Sequence, residues 1–375
     1  MNSRAYFQFD RSALQRTLQQ AQVLAKSNGV LLRYAIKANH HPQVLAEILA
    51  ANCHLDCVSG FEIQEAIHQN FSASQICFAG AGKMDEEISL ALDQNIAYFN
   101  VESLEELHVL NQLAKERGVS ARVCLRVNPN VSADTHPYIS TGLYGNKFGI
   151  DENQVPQAFR ILSLASNLEW AGFHFHIGSQ ITNNQVFHDY LRKIAQFTED
   201  WCMQGRCPQV LNVGGGLGID YGKRNEEQNI DFENYFSLIQ RYLSKFNCSL
   251  EVELGRALVA NCMKLFTQVL YTKTSGNRNL AIVSAGMNDN IRPALYNASH
   301  FIEPVGLAGP LRPWDVHGPI CESSDCFGRD LLLPNLQRGD WLCMHGVGAY
   351  VQSMASQYNL RPLAEMETIA ESVFA

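Results

Sequence analysis

The chain of 375 residues contains no apolar run approaching the ~18–20 residues that cross a bilayer. Its first ten residues, MNSRAYFQFD, also lack the charged-then-apolar pattern of a signal peptide, which predicts a cytoplasmic protein with no membrane partner. No basic cluster stands out. With 29 Lys and Arg against 37 Asp and Glu, the net charge is −8, and nothing offers a track for a phosphate backbone, so no nucleic-acid partner is expected. The 11 cysteines include no C-x-x-C pair, and neither Cys53/Cys57 nor Cys202/Cys207 has zinc-knuckle or redox-motif spacing. Most are expected to be reduced, buried thiols. Low-complexity segments, internal repeats and long linkers are missing as well.

What the chain does have is apolar residues, 46% of the total against 18% charged, which suffices for a sizeable core and excludes disorder as the main state. Its length admits about two domains. Asp10 is placed to cap a helix carrying Leu14, Leu18, Ala21 and Leu24 at helical spacing, and Gly29 stands where a left-handed stop belongs. The apolar run VLLRYAI follows, and the alternation then repeats. Strands are expected at 55–58, 75–78, 96–99, 121–127, 168–175, 209–213 and 249–254. Helices are expected from Pro42, Phe61, Met84 and Glu102, then over 153–166, 183–204 and 232–246. Eight strand–helix alternations predict an α/β fold built on a (β/α)8 barrel rather than an open doubly wound sheet. After Ala260 the texture changes to short β-rich runs separated by Gly, Pro and Asn. The expected domains are therefore a barrel over 12–258 and a mostly-β domain made of 1–11 and 259–375.

A barrel of this type collects its chemistry at the C-terminal ends of its strands, and the unusual polar residues fall there. Lys37 closes strand one, Asp56 and Ser59 follow strand two, and Arg126 lies at strand five. His174 and His176 end strand six, Gly214, Gly215 and Gly216 follow strand seven, and Glu253 ends strand eight. Three successive glycines after a strand let backbone N–H groups approach a phosphate closely; the same residues otherwise read as a tight βα turn, and they are not the G-x-G-x-x-G of a dinucleotide site. Arg256 adds a planar cation suited to phosphate or carboxylate. Lys37, preceded by apolar YAI, is a candidate imine-forming amine, although an isolated lysine also reads as a snorkelling surface residue. His174 is expected to be a core or interface histidine on the face opposite His176. His40/His41 and His136/His174 lack metal-ligand spacing, so no metal is expected.

Taken together, the segments YAIKAN (34–39), LDCVSGFE (55–62), LRVNP (125–129), THPYISTG (135–142), NKFGI (146–150), HFHIGSQI (174–181), NVGGGLGI (212–219), ELGR (253–256), GMNDNIRPALY (286–296), GPICESSD (318–325) and GAYVQSMASQYNLRP (348–362) resemble the pyridoxal-phosphate-dependent decarboxylases of the alanine-racemase-like barrel fold, most closely the diaminopimelate decarboxylase branch. They run in family order across nearly the whole chain. The resemblance implies that Lys37 binds pyridoxal phosphate covalently, His176 stacks on its ring, and Asp56 supports lysine and cofactor. Gly214, Gly215, Gly216, Gly255, Arg256, Ser179 and Tyr350 would hold the phosphate, with Glu253 at the pyridine nitrogen. It also implies a homodimer with shared sites, in which Cys321 and Glu322 come from the neighbouring subunit and Cys321 donates a proton. Arg256, Arg292, Tyr296, Glu322 and Tyr350 correspond to substrate-holding positions.

The chemistry needs these groups. Loss of CO2 leaves a carbanion that a protonated pyridine ring can absorb. A carboxylate ~4 Å from the ring nitrogen favours that proton by roughly 4 kcal/mol at an effective dielectric near 20. The racemases of this fold have an arginine there, so Glu253 favours decarboxylation. A thiol is a competent acid for the final protonation. Arg292 and Tyr296, four apart, share a face if helical and suit a distal carboxylate, while Glu322 suits a distal ammonium. The expected reaction is therefore α-decarboxylation of an amino acid with a charged distal end, meso-diaminopimelate to lysine being the leading substrate. A siderophore or other secondary-metabolite intermediate is the alternative substrate, and a catalytically silent regulatory homologue or a racemase the alternative role. The family's E-P-G-R is ELGR here, which drops a proline and keeps the carboxylate, glycine and arginine.

Overall fold

The structure, a computed structural model, describes residues 4–130 and 146–369; the THPYISTG block and His136 lie outside the described residues. The chain divides into two compact units. One comprises Leu18–Gly218 and Ile230–Gly255, the other Met1–Thr17, Ile219–Asn229 and Arg256–Ala375.

In the second unit, β1 (Tyr6–Phe9) leads into the helix Arg11–Ser27, which crosses into the first unit. Asp10 caps that helix as its sequence position predicts, its Oδ1 accepting from Ala13 N at 2.8 Å. Gly29 ends the segment at φ +67°.

The first unit is a closed parallel barrel. Its strands are β2 (Val30–Ala35), β3 (His54–Cys57), β4 (Ile76–Phe78), β5 (Tyr98–Val101), β6 (Ala121–Arg126), β7 (Leu168–His174), β8 (Val210–Asn212) and β9 (Ser249–Leu254), joined in chain order. Tyr34 pairs with Leu55 on one side and Leu254 on the other, so the ring shuts between β2 and β9. Strands β4 and β5 are buried at every residue, as parallel strands covered on both faces must be. Cys77, Tyr98, Cys124, Ala171 and Val210 form one packed cluster of the interior.

Lower in the barrel sits an ion pair. Arg33 Nε donates to Glu251 Oε2 at 2.5 Å, its Nη1 reaches Gln75 O at 2.9 Å, and Tyr98 OH donates to the same carboxylate oxygen at 2.7 Å. Both charges are out of water. Close packing also explains Gly172 of β7, where a Cβ would stand 1.8 Å from Val210 O.

The second unit holds an eight-stranded sheet whose continuous path is β12 (Ile302–Pro304), β15 (Trp341–Met344), β10 (Met263–Ser275), β11 (Arg278–Val283), β13 (Arg312–His317) and β14 (Cys326–Leu333). β1 adds to β10 antiparallel, and β16 (Glu365–Thr368) adds to β1 in parallel. Residues 219–229, which the sequence reading kept in the barrel, group with this unit because Asn225 is tied into it. Asn225 Nδ2 donates to Met263 O at 2.9 Å, and its Oδ1 accepts from Gly346 N at 2.7 Å. Of the described cysteines, Cys202 and Cys207 form a disulfide that the sequence spacing did not announce, and the remaining nine are free. Among the described residues no helix is long and apolar enough to cross a membrane.

Breaking the Arg33–Glu251 pair strands a buried charge. Arg33→Met should lower stability by about 3–5 kcal/mol, and adding Glu251→Leu should recover most of that loss, as read from urea unfolding midpoints.

Candidate active site

Lys37 does not sit in a strand. β2 stops at Ala35, and one 3-10 turn, Ile36–Ala38, carries the lysine past the strand end. Tyr34 OH donates to Asn39 O at 2.7 Å and fastens the turn. From there Lys37 Nζ donates to Asp56 Oδ2 at 3.0 Å; the lysine side chain is 36% exposed and the aspartate fully buried. An amine is thus held at the mouth by an acid set below it.

That acid has a second one beside it. The nearest acid-bearing atoms of Asp56, Cys77 and Glu253 all lie within 4.8 Å of one another. Burial and the Glu253 charge push the Asp56 carboxyl up, with Lys37 opposing. Burial pushes Glu253 up too, but the charge and hydrogen bond of His174, then Lys37 and His176, win and hold it well below the usual carboxylate range. The donors explain the outcome. Asn212 Nδ2 at 2.7 Å and Asn100 Nδ2 at 3.3 Å serve Oε1, while His174 Nε2–H serves Oε2 at 3.1 Å. Burial raises the Cys77 thiol, which disfavours the thiolate a metal would need.

His174 therefore departs from the expected arrangement. It is a core histidine, as read, but it does not face away from His176: residues i and i+2 of an extended segment share a face, and both imidazoles act on Glu253. His176 is kept neutral by burial, then by Arg126 and Lys37.

Beside it is the glycine turn. A Cβ on Gly214, at φ +66°, would lie 2.5 Å from Phe175 O and 2.9 Å from the His176 ring; one on Gly215 would lie 2.0 Å from Glu253 O. Only glycine lets the backbone come this close. The turn is laced to the segment bearing half-buried Ser179, Ile181 N donating to Gly216 O at 2.8 Å. Lys37, Asp56, His176, Ser179, Gly214, Gly215, Gly216, Glu253 and Gly255 all belong to the barrel unit. An amine, a permanent anion, a neutral imidazole and a cradle that a Cβ would fill fit a phosphorylated pyridine aldehyde.

Arg256, Arg292, Tyr296, Cys321, Glu322 and Tyr350 belong to the second unit. Arg256 Nη1 donates to Tyr221 OH at 2.5 Å, and its guanidinium lies 4.8 Å from the Tyr350 ring centroid. Arg292 lies 4.2 Å from the Tyr221 ring centroid and opens the short helix Arg292–Tyr296, so Arg292 and Tyr296 do sit one helical turn apart. Tyr350 is held at φ +58°, an uncommon conformation for an aromatic residue, next to Gly348, whose N donates to Ala260 O at 2.9 Å.

Cys321 is exposed, with its N donating to Asn359 Oδ1 at 3.2 Å; Glu322 accepts from Tyr358 OH at 2.5 Å. Asp325 shapes their loop. Its carboxylate accepts from Ile320 N and Met287 N, each at 2.7 Å. Sequence reasoning passed over Asn100, Asn212, Tyr221, His300 and Asp325. Only Asp325, inside GPICESSD, lay in a segment where a loop-organising carboxylate is a natural suspicion.

The comparisons with known proteins agree with one another. Residues 11–260 match the family model described as pyridoxal-dependent decarboxylase, pyridoxal binding domain. The diaminopimelate decarboxylase of Bacteroides thetaiotaomicron is 42% identical over 371 residues, covering 98% of this chain and 96% of that one. That of Helicobacter pylori strain J99 is 41% identical, covering 90% and 83%. The crystal structure of diaminopimelate decarboxylase from Helicobacter pylori complexed with L-lysine superposes with a TM-score of 0.92 at 38% identity, covering 98% of this chain and 91% of that one. The enzyme from M. jannaschii in co-complex with L-lysine gives 0.89 at 33% identity, covering 97% and 87%.

His300 of the second unit gives a pH test. Burial, then Arg292, brings its imidazole down from 6.5 to about 3. The unfolded chain binds that proton below its ordinary value and the folded chain does not, so stability is full above that value and falls as pH drops through the window. His300→Gln should flatten the fall, measured as the difference between urea midpoints at about pH 7.5 and about pH 4.5.

Proposed function

This chain belongs to the pyridoxal-dependent decarboxylases, and from that premise we propose that it removes one carboxylate of meso-diaminopimelate, leaving lysine. It is a carboxy-lyase acting on an amino acid with a charged distal end, and the reaction belongs to lysine biosynthesis. The balance is simple: the substrate loses CO2 and gains one proton at the same carbon. The observation that carries the reading is the Glu253 carboxylate, buried, held anionic by His174, and grouped with the Lys37–Asp56 pair.

Pyridoxal phosphate, when bound, supplies an aldehyde that condenses with amines and a pyridinium ring that takes up the electron pair left by departing CO2. Lys37 is the amine that holds it through Nζ, with Asp56 steadying that nitrogen and the cofactor. Glu253 keeps the ring nitrogen protonated, an arrangement supported by the donors that leave it no way to neutralise cheaply. His176, kept neutral by burial, is the residue that would meet the face of the ring. The N–H groups of Gly214, Gly215 and Gly216, with Ser179, Gly255, Arg256 and Tyr350, hold the phosphate. Arg256, Arg292, Tyr296 and Tyr350 take the distal carboxylate, and Glu322 takes the distal ammonium.

Cys321 of the partner subunit delivers the final proton in a homodimer whose two sites are shared. Its exposure on a loop braced by Asp325 supports that role. We place the enzyme in the cytoplasm.

Wild-type protein loaded with pyridoxal phosphate should release CO2 from meso-diaminopimelate in step with lysine formation, and Lys37→Ala should abolish both. No gas from this substrate would overturn the reading. Mixed Lys37→Ala and Cys321→Ala subunits should recover roughly a quarter of wild-type activity, because half of the dimers are heterodimers and each has one intact site. No recovery after verified subunit exchange would remove the shared site.

A further inference from the structure

Two guanidinium groups, Arg256 and Arg292, flank the Tyr221 ring in the second unit, with centroid distances of 5.7 and 4.2 Å. Arg292 is 4% exposed. Burying such a cation is expensive unless it is paired and hydrogen-bonded. Among the described residues, however, Arg292 has no carboxylate partner. The groups that act on it most, after burial, are Tyr221, Arg256, Tyr296 and Tyr350. Its Nε is buried without a hydrogen-bond partner.

The side-chain bond it does make is to a histidine. Arg292 Nη1 and His300 Nε2 are 2.8 Å apart, and His300 Nδ1 is 2.8 Å from His345 O. A backbone carbonyl only accepts, so Nδ1 carries the hydrogen and Nε2 presents its lone pair. The guanidinium only donates, which agrees. The carbonyl thus selects the tautomer, and the tautomer makes the imidazole an acceptor. His300 remains uncharged beside the cation, since burial and Arg292 both oppose its protonation.

An aspartate or glutamate is the ordinary partner for a buried arginine and would form a stronger bond. It would also cancel the charge. A neutral acceptor fixes one edge of the guanidinium and leaves its charge uncancelled for an incoming anion. We propose that His300 is a positioning residue that sets specificity for substrates with a distal carboxylate, by orienting Arg292 without neutralising it. This deepens the substrate reading above and rests on it.

The decisive comparison is His300→Asp against His300→Gln, with folding checked by thermal unfolding. Asp supplies an anionic acceptor in place of the ring. Gln supplies a neutral oxygen toward Arg292 and an N–H toward His345 O. With loaded enzyme, His300→Asp should raise KM for meso-diaminopimelate by about 10–100-fold, the worth of one hydrogen bond to a charged group, with a smaller effect on kcat. His300→Gln should stay within about threefold of wild type in KM. Binding of pimelate, a dicarboxylate with no amine to react, should follow the same order by calorimetry with the cofactor-free protein.

An unchanged KM in the Asp variant overturns the proposal, as does equal damage by Asp and Gln, which would mean that the ring is needed for packing alone. A loss confined to kcat overturns it as well. If the wild type releases no CO2 from diaminopimelate yet binds pimelate in a His300-dependent way, the substrate reading fails while the positioning of Arg292 toward a carboxylate stands. If it does neither, both fall.

Discussion

A carboxylate buried in the middle of a barrel and still charged is the constraint around which this molecule is arranged. Glu253 is 4% exposed, and taking such a group out of water is costly unless donors replace the solvent. Three strands besides its own supply them: Asn100 from β5, His174 from β7 and Asn212 from β8. Asn212 also fastens the glycine turn, its Oδ1 accepting from Gly214 N at 2.9 Å. The burial of all three becomes intelligible under the role proposed for the anion they hold, which is to make a bound heterocycle prefer its protonated form.

The same anion organises its surroundings. Asp56 is raised by burial and by Glu253, which makes it a good partner for the Lys37 ammonium and a poor independent charge. His176, disfavoured as a cation by burial and then by Arg126 and Lys37, is kept neutral and so presents a flat, uncharged face. The second unit reverses the sign. There two arginines gather around a tyrosine, and the histidine bonded to one of them is neutral. The proposed reading matches these charges to a cationic ring in one unit and to a substrate carboxylate in the other.

Much of this was legible in the sequence, though unevenly. The βα rhythm and the change of texture after Ala260 follow from hydrophobic periodicity, a local property, and the closed barrel and separate sheet agree with them. Lys37, Glu253 and the three glycines could be placed at strand ends by counting. What counting mishandled was direction. His174 was assigned to the wrong face although its spacing from His176 argues otherwise, and Lys37 lies one turn beyond its strand. Asn100, Tyr221 and His300 carried no signal, and Asn212, though it opens the NVGGGLGI block, gave no hint of its bond to Glu253, because a polar side chain acquires its role only from the partner the fold brings to it.

The amino-acid order by itself determined the fold class and the kind of chemistry, and it singled out Lys37 and Glu253 as the candidate amine and anion, since periodicity, glycine turns and motif order are written along one dimension. Tertiary structure alone decided the protonation landscape. Whether a carboxyl group is an acid or a permanent anion, and whether a histidine donates or accepts, depends on desolvation and on donors brought within about 3 Å. Those distances exist only after the strands have closed into a ring and the sheet has formed.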